Sequence, residues 1–327
     1  MRMNRDGTSR RTLLAAGMTG LLPLTAAVAA APALRVERLP LWPGRPPGGE
    51  GISVTDQSVF RSPENKPDDI AWPHVATPML TVVHPQRPNG AGVLICPGGG
   101  YARVATGRTG GDVARRLAAI GITAFELLYR LPHDGWAAGP DTPLQDAQRA
   151  MRLIRGQAGK RWTVDPARVA VAGFSAGGHL AARLATQAAT QTYAPVDAND
   201  ALSARPLVAG LFYPVVTMGD DGVHAASRER LLGSHAADPA WQQRYSTERN
   251  LPADTPPTFI TGNADDPVVP IRNSLLLWEA LRAARIPTEL LIFEHGGHGP
   301  PANRRNGAAV PWLDLFLGWA SDHRWPA

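Results

Sequence analysis

Cysteine is almost absent from this chain of 327 residues, which contains only Cys96. An intramolecular disulfide is therefore excluded, and a chain of this length buries roughly three quarters of its unfolded surface without one. Cys96 ends the apolar run 93–96, so we interpret it as a core residue and not as a nucleophile.

Lysine is nearly as scarce, since Lys66 and Lys160 are the only two. The net charge is +5, and residues 1–11 hold four arginines against one aspartate. The rest of the chain therefore carries about +2, with its arginines scattered rather than gathered into a basic stripe. We expect no nucleic-acid partner.

Metal-ligand patterns are missing as well. No group of histidine, cysteine and carboxylate residues has the sequence spacing of a metal site. No carboxylate pair stands out as the acid and nucleophile of a glycosidase. We predict neither a metal nor another cofactor.

Residues 1–30 have the features of an export signal. Arg10 and Arg11 precede an apolar stretch, a pattern that resembles the twin-arginine signal. Two glycines and a proline interrupt that stretch, which argues against a permanent span, and the small residues at 27–29 suit a signal peptidase. We expect a periplasmic or secreted mature protein with no stable membrane span after processing.

Residues 31–75 are rich in proline and glycine, so we predict an irregular lead-in to a catalytic domain over 76–327. In that domain apolar runs alternate with helical patterns, which is typical of an α/β fold with a mostly parallel sheet and helices on both faces. Segment 218–256 is either a small cap, with Trp241 and Tyr245 as walls, or a plain surface loop. Strands are predicted at 79–84, 92–96, 122–129, 169–174, 207–216, 258–261 and 288–293, and helices at 113–120, 144–159, 274–284 and 311–322.

The strand at 169–174 leads into the pattern Gly173-Phe-Ser175-Ala-Gly177, and a helix-forming run leaves it. A strand, a sharp turn and a helix form a nucleophile elbow, which holds a serine in a strained conformation with its hydroxyl exposed. The two glycines avoid side-chain clashes in so tight a turn. We therefore predict that Ser175 is a nucleophile.

A serine nucleophile needs a base and a carboxylate that orients the base. His295 and His298 follow one late strand, and we choose His298 because glycines flank it. Asp265 and Asp266 follow another, and we favour Asp265 while keeping Asp266 as the alternative. The order nucleophile, acid, histidine is that of the α/β hydrolases.

An oxyanion hole needs backbone N–H groups that no side chain covers. Three glycines at 98–100 follow the strand at 92–96, where such a loop is expected. No Lys-Ser/Thr pair follows them, which excludes a phosphate cradle. We assign the donors to the N–H groups of Gly99, Gly100 and Ala176.

Five motifs follow one another along the chain: PGGGY at 97–101, YRL at 129–131, GFSAGGHL at 173–180, DDPVVP at 265–270 and GGHG at 296–299. In this order they resemble the acetyl-esterase side of the α/β hydrolases, in particular the acetylxylan and feruloyl esterase-like group. The resemblance implies an α/β-hydrolase fold and metal-free hydrolysis of acyl esters, commonly on plant polysaccharides.

Two details of the resemblance concern single residues. Prolyl oligopeptidase-like enzymes share the Asp-Asp-x-Val-Val-Pro pattern and use its first aspartate, which adds to the choice of Asp265. Many esterases place a histidine before the glycines, where this chain has Cys96 and Pro97. The backbone donors survive that change, but a loop anchor that depends on histidine does not.

Other side chains near the motifs have simpler interpretations. We interpret His179 as a hydrogen-bonded structural residue. Asp146, Arg149 and Arg152 have helical spacing and predict an ion-paired helix face. Four residues that follow strands either stack on a sugar or feruloyl ring or belong to the core: Tyr101, Tyr129, Arg130 and Trp136.

The motifs thus predict a serine carboxylesterase that works through an acyl-enzyme. The resemblance implies acetyl or feruloyl esters of small molecules or polysaccharides as its substrates. One alternative is an oligopeptidase-type serine peptidase, for whose usual gating domain the chain is too short. Another is a non-catalytic carbohydrate-binding protein on the same fold, which would not need an intact Ser, Asp and His. No feature indicates an oligomeric state.

Overall fold

Strands and helices alternate along the chain in the computed structural model, which describes residues 34–66, 69–107, 110–301 and 306–326. The strands are β1 (Arg35–Pro40), β2 (Gln57–Phe60), β3 (Ile70–His74), β4 (Met79–His84), β5 (Gly90–Cys96), β6 (Thr123–Leu128), β7 (Val164–Phe174), β8 (Ala209–Phe212), β9 (Thr258–Asn263) and β10 (Thr288–Phe293). The helices are α1 (Asp112–Ala119), α2 (Thr142–Gln157), α3 (Ala176–Thr186), α4 (Ala225–Leu232), α5 (Pro239–Tyr245), α6 (Arg272–Ala283) and α7 (Trp312–Asp322).

Eight strands form one sheet in the order β1-β4-β6-β5-β7-β8-β9-β10. The strands from β6 to β10 in that order are parallel, whereas β4 is antiparallel to both β6 and β1. Both faces are buried, because on β5 Val93 and Ile95 join one core cluster while Leu94 and Cys96 join the other. Helices α1 and α7 cover the first face, and α2, α3 and α6 cover the second. This is the α/β arrangement predicted from the sequence.

The lead-in is not irregular, contrary to the prediction for residues 31–75. β1 pairs with β4 along its whole length, from Arg35 opposite His84 to Pro40 opposite Met79. β2 and β3 form a separate two-stranded antiparallel sheet. Residues from Leu34 onward belong to one compact unit, so no domain boundary falls at residue 75. The proline- and glycine-rich stretch lies between β1 and β2, and its composition concealed the short strands around it.

The strands and helices predicted within 76–327 are present, although several bounds differ. The strand predicted at 207–216 ends at Phe212, because Tyr213 has a φ of 40° and turns the chain. Segment 218–256 contains α4 and α5 and is not a plain loop. The predicted signal at 1–30 lies outside the described residues, and no helix within the described ranges is both long and apolar enough to cross a bilayer.

Candidate active site

Ser175 lies in a strained turn between β7 and α3. Its φ of 55° and ψ of −123° fall in a region that residues other than glycine rarely adopt. A Cβ on Gly173 would lie 2.3 Å from the Gly177 carbonyl oxygen, and one on Gly177 would lie 2.1 Å from the Cys96 carbonyl oxygen. Both positions therefore require glycine, and the geometry is that of a nucleophile elbow.

The His298 imidazole lies against the Ser175 hydroxyl. Nε2 is 2.9 Å from Oγ, and Nδ1 is 2.8 Å from Oδ2 of Asp266, whose side chain is only 1% exposed. The three groups form a hydrogen-bonded chain from carboxylate to imidazole to hydroxyl. They meet because Phe293 at the end of β10 pairs with Asn263 at the end of β9, so that the two following loops leave the sheet side by side.

The carboxylate at the imidazole belongs to Asp266, so the choice of Asp265 is wrong. Asp265 Oδ1 instead accepts the backbone N–H groups of Gly296 and Gly297, each at 2.9 Å. These hydrogen bonds, the one from Gly297 foremost, lower the pKa of the Asp265 carboxyl. Neighbouring aspartates in a turn point in different directions, and spacing along the chain does not tell them apart. Asp265 thus holds the loop that carries His298.

The rest of the histidine loop is held by further contacts. His295, the alternative base, is 42% exposed, and its Nδ1 lies 3.4 Å from a carboxylate oxygen of Asp265. Asn263 Nδ2 donates to the carbonyl oxygens of the glycines on either side of His298, at 2.8 Å each. The imidazole of His298 is therefore presented by a loop tied to the end of β9.

The glycine loop after β5 packs against the serine turn. A Cβ on Gly98 would lie 3.0 Å from the Ser175 Cβ, and one on Gly99 would lie 2.0 Å from a backbone carbonyl oxygen. Gly99 and Gly100 have φ values of 140° and 66°, which side chains rarely tolerate. Ala176 is the first residue of α3, where N–H groups have no acceptor within the helix. Gly99 and Gly100 line the same cleft as Ser175, and the assignment of their N–H groups and that of Ala176 as oxyanion donors stays a prediction.

Two buried tyrosines anchor this glycine loop. Many esterases have a histidine before the glycines, and no sequence motif indicated a residue that replaces it here. Tyr129 donates its hydroxyl to the Pro97 carbonyl oxygen at 2.8 Å. The Tyr101 hydroxyl lies 2.8 Å from Nδ1 of His179, one turn into α3. Both tyrosines are fully buried, so burial raises the pKa of each phenol and both remain neutral donors.

His179 has the structural role expected from the sequence. Its Nε2 lies 2.8 Å from the Tyr245 carbonyl oxygen, which can only accept, so Nε2 carries the proton and Nδ1 accepts from Tyr101. Burial and, to a smaller extent, the nearby Arg183 guanidinium lower the pKa of His179 to about 3. A neutral imidazole therefore links the glycine loop, the elbow helix and α5.

His224 is a site residue that sequence reasoning missed. It lines the same cleft as Ser175 and His298, and its Nδ1 lies 2.7 Å from the Ser227 hydroxyl. Burial and, to a smaller extent, the neighbouring His298 lower the pKa of His224, while Asp266 opposes this shift. No motif surrounds this histidine, so only the packing of α4 over the glycine loop reveals it.

A cleft of about 660 Å³ opens over Ser175. Its floor is the glycine loop, and its walls include His298, Tyr213 and Phe174. A cleft of this volume is in the range of small-ligand sites, which commonly measure several hundred Å³.

Arg130 and Asp146 form a buried ion pair with both side chains at 0% exposure and a closest N–O distance of 2.8 Å. Trp42 Nε1 donates to the same carboxylate at 2.8 Å. The predicted helix face on which Asp146 pairs with Arg149 and Arg152 is therefore wrong, and most of α2 is buried. The actual partners are Asp197 and Asp200 for Arg149 and the Tyr193 hydroxyl for Arg152.

The residues offered for stacking on a sugar or feruloyl ring are buried. Their exposed fractions are 1% for Tyr101, 0% for Tyr129 and Arg130, and 5% for Trp136. All four therefore belong to the core.

One group of potential metal ligands comes together within the described ranges, formed by His74, His133 and Asp134, with ligand atoms within 4.8 Å of one another. Asp134 Oδ1 lies 2.6 Å from His74 Nδ1, and Oδ2 accepts the Val75 N–H at 3.1 Å. These hydrogen bonds tie β3 to the turn after β6. No sequence motif indicates the group, because His74 lies far along the chain from His133 and Asp134.

The sheet order, the elbow and the glycine loop define the protein as an α/β hydrolase. Residues 85–281 match the BD-FAE family, and the chain belongs to that family. The matched residues include Ser175 and Asp266 and end before His298.

Two curated relatives share part of their length with this chain. An acetylxylan esterase from Xylanibacter ruminicola is 33% identical over 219 residues, which are 66% of this chain and 42% of that protein. An endo-1,4-beta-xylanase B from Butyrivibrio fibrisolvens is 35% identical over 232 residues, 70% of this chain and 34% of that protein. The chain therefore spans less than half the length of either relative.

Solved structures match over nearly the whole fold. An acetyl ester-xyloside bifunctional hydrolase from Caldicellulosiruptor lactoaceticus has a TM-score of 0.68 and 30% identity, covering 88% of this chain and 96% of that one. A carboxylesterase from Lactobacillus plantarum, at 23% identity, has a TM-score of 0.61 over 83% of this chain and 97% of its own. The second similarity concerns the fold alone.

Proposed function

We propose that the protein is a serine carboxylesterase that hydrolyses acetyl or feruloyl esters on carbohydrates. The hydrogen-bonded chain from Asp266 through His298 to Ser175, at the elbow of an α/β hydrolase, carries the proposal. Similarity to an acetylxylan esterase and to an acetyl ester-xyloside hydrolase supports both the ester and its sugar.

In the acylation step, Ser175 Oγ attacks the ester carbonyl carbon while its proton moves to Nε2 of His298. Asp266 accepts the Nδ1–H and stabilises the imidazolium that forms. The oxyanion accepts hydrogen bonds from the N–H groups of the glycine loop (Gly99 and Gly100) and of Ala176. Each such donor stabilises a transition state by about 3 kcal/mol.

Collapse of the tetrahedral intermediate breaks the bond to the alcohol oxygen, which takes the proton from His298. The acyl group then remains on Ser175 as an ester. In deacylation His298 removes a proton from water, the hydroxide attacks the acyl carbon, and the proton returns to Ser175 Oγ as the carboxylic acid leaves.

Replacing Ser175 by alanine tests the proposal. Ser175→Ala should lower hydrolysis of p-nitrophenyl acetate by about a thousandfold or more, with Ser321→Ala on α7 as the matched control. A fluorophosphonate probe should label the wild type and the control but not Ser175→Ala. Wild-type turnover in Ser175→Ala would refute the proposal, and a wild type that neither hydrolyses nor takes the label would favour a carbohydrate-binding protein.

We also propose that residues 1–30 direct export of the folded chain to the periplasm or beyond. The support is the Arg10-Arg11 pair before an interrupted apolar stretch. An exported enzyme would meet polysaccharide esters that do not enter the cell.

A further inference from the structure

A second groove, of about 470 Å³, lies between the turns after β6 and the segment from α4 to α5. Pro132 and Pro140 line one side, and Glu229, Arg230 and Trp241 line the other. The groove is separate from the cleft over Ser175, and nothing in the proposed chemistry uses it.

Helix α4 runs from the catalytic cleft to the groove. His224 and Ala226, at the start of this helix, line the cleft, and Leu232 at its end lines the groove. Arg230 lines both. A helix of 8 residues rises by about 12 Å, so a ligand attached to Ser175 reaches the groove only if it is elongated.

His235 and Trp241 line one wall of the groove and belong to an aromatic stack. His235 lies parallel to Trp241 with ring centroids 3.9 Å apart, and Trp241 lies parallel to Tyr245 at 5.7 Å. Tyr245 is buried, and its carbonyl oxygen is held by His179. A wall that is ordered before binding loses little conformational entropy when a ligand binds.

The groove also offers polar groups that are ready for new partners. Within the described ranges, the side chains of Glu229 and Arg230 make no hydrogen bond or ion pair, and both are exposed. Proline and aromatic surface beside one carboxylate and one guanidinium suits a ligand that has both C–H faces and hydroxyl groups. Sugars have this combination, whereas a small acyl chain has no hydroxyls to bind.

We propose that this groove is a subsite for sugar residues of the alcohol part of the substrate, so that the enzyme favours esters on an oligosaccharide chain. The proposal rests on the proposed esterase function. It assigns the two-helix segment after β8 to recognition of the chain rather than to the chemical step.

The test compares p-nitrophenyl acetate with acetylated xylose and acetylated xylo-oligosaccharides of increasing length. In the wild type, kcat/KM should rise with chain length. Trp241→Ala and, separately, Glu229→Ala should lower kcat/KM on the longer acetylated xylo-oligosaccharides by about tenfold. Both variants should leave p-nitrophenyl acetate hydrolysis unchanged. Glu289→Ala on β10, also an exposed glutamate, is the control and should behave as the wild type.

Two results would overturn the subsite. One is a wild-type kcat/KM that does not change with chain length. The other is an equal loss on all substrates in Glu229→Ala, which alters only an exposed side chain. In either case the esterase function stands as long as hydrolysis of p-nitrophenyl acetate depends on Ser175, so the two proposals fail separately.

Discussion

Replacing His179 by glutamine should make the protein less sensitive to acid. In the native state His179 is neutral, because burial lowers its pKa to about 3, whereas an unfolded histidine titrates near 6.5. Below pH 6.5 the unfolded chain therefore binds a proton at His179, whereas the native imidazole does not. The stability that depends on this neutral imidazole is complete above pH 6.5 and is lost as the pH falls toward 3.

The size of the effect follows from the two pKa values. Each pH unit between them corresponds to about 1.4 kcal/mol. Between about pH 7 and about pH 4.5, titration of His179 should remove roughly 2 to 3 kcal/mol from the free energy of unfolding. Glutamine can donate where Nε2 does and has no proton to gain, so His179→Gln should lack this loss.

The assay is reversible urea unfolding of the wild type and of His179→Gln at both pH values. Carboxylates and other histidines titrate in both proteins, so the difference between the two pH-dependent losses isolates the imidazole. Tyr101→Phe is the companion variant, since it removes a hydrogen bond but keeps the buried imidazole, and its loss should match the wild type. Equal losses in the wild type and His179→Gln would refute a neutral buried His179.

Asp266→Asn should lower kcat by roughly a thousandfold or more with little change in KM, because the imidazole loses the acceptor that fixes its tautomer. Asp265→Asn should keep most of the activity, and comparable losses in the two variants would contradict the assignment of Asp266 as the acid. Replacing Arg10 and Arg11 together by lysine in the full chain should stop export, as measured by activity in the periplasmic fraction and the medium, and unchanged export would count against the signal.

Local motifs made part of the site predictable. The glycines around Ser175 and at 98–100 are required by close backbone contacts, and such contacts leave a readable pattern in the sequence. The choice of His298 over His295 was possible for a similar reason, because glycines flank His298. Where a motif fixes backbone geometry, the sequence is sufficient.

The identity of the acid depended on directions that no motif specifies. Asp265 and Asp266 have the same chemistry and adjacent positions, and which of them meets the imidazole depends on where the amides of a loop about 30 residues later happen to lie. The ion pairs predicted for Asp146 from its helical spacing are wrong for a similar reason. Its partner Arg130 comes from the segment after β6, and α2 is buried on most sides. β1 was missed because it lies in a proline- and glycine-rich segment and is defined by its pairing with β4.

The pairing of β9 with β10 has a consequence for the folding of the chain. Ser175 and His298 are 123 residues apart, and the imidazole arrives only when β10 adds to the edge of the sheet. In the proposed mechanism, a nascent chain that has folded as far as the elbow holds Ser175 without its base, so we expect no ester hydrolysis until this last strand docks. We therefore expect turnover to report the fraction of molecules that have completed their sheet, which would make ester hydrolysis a measure of late folding.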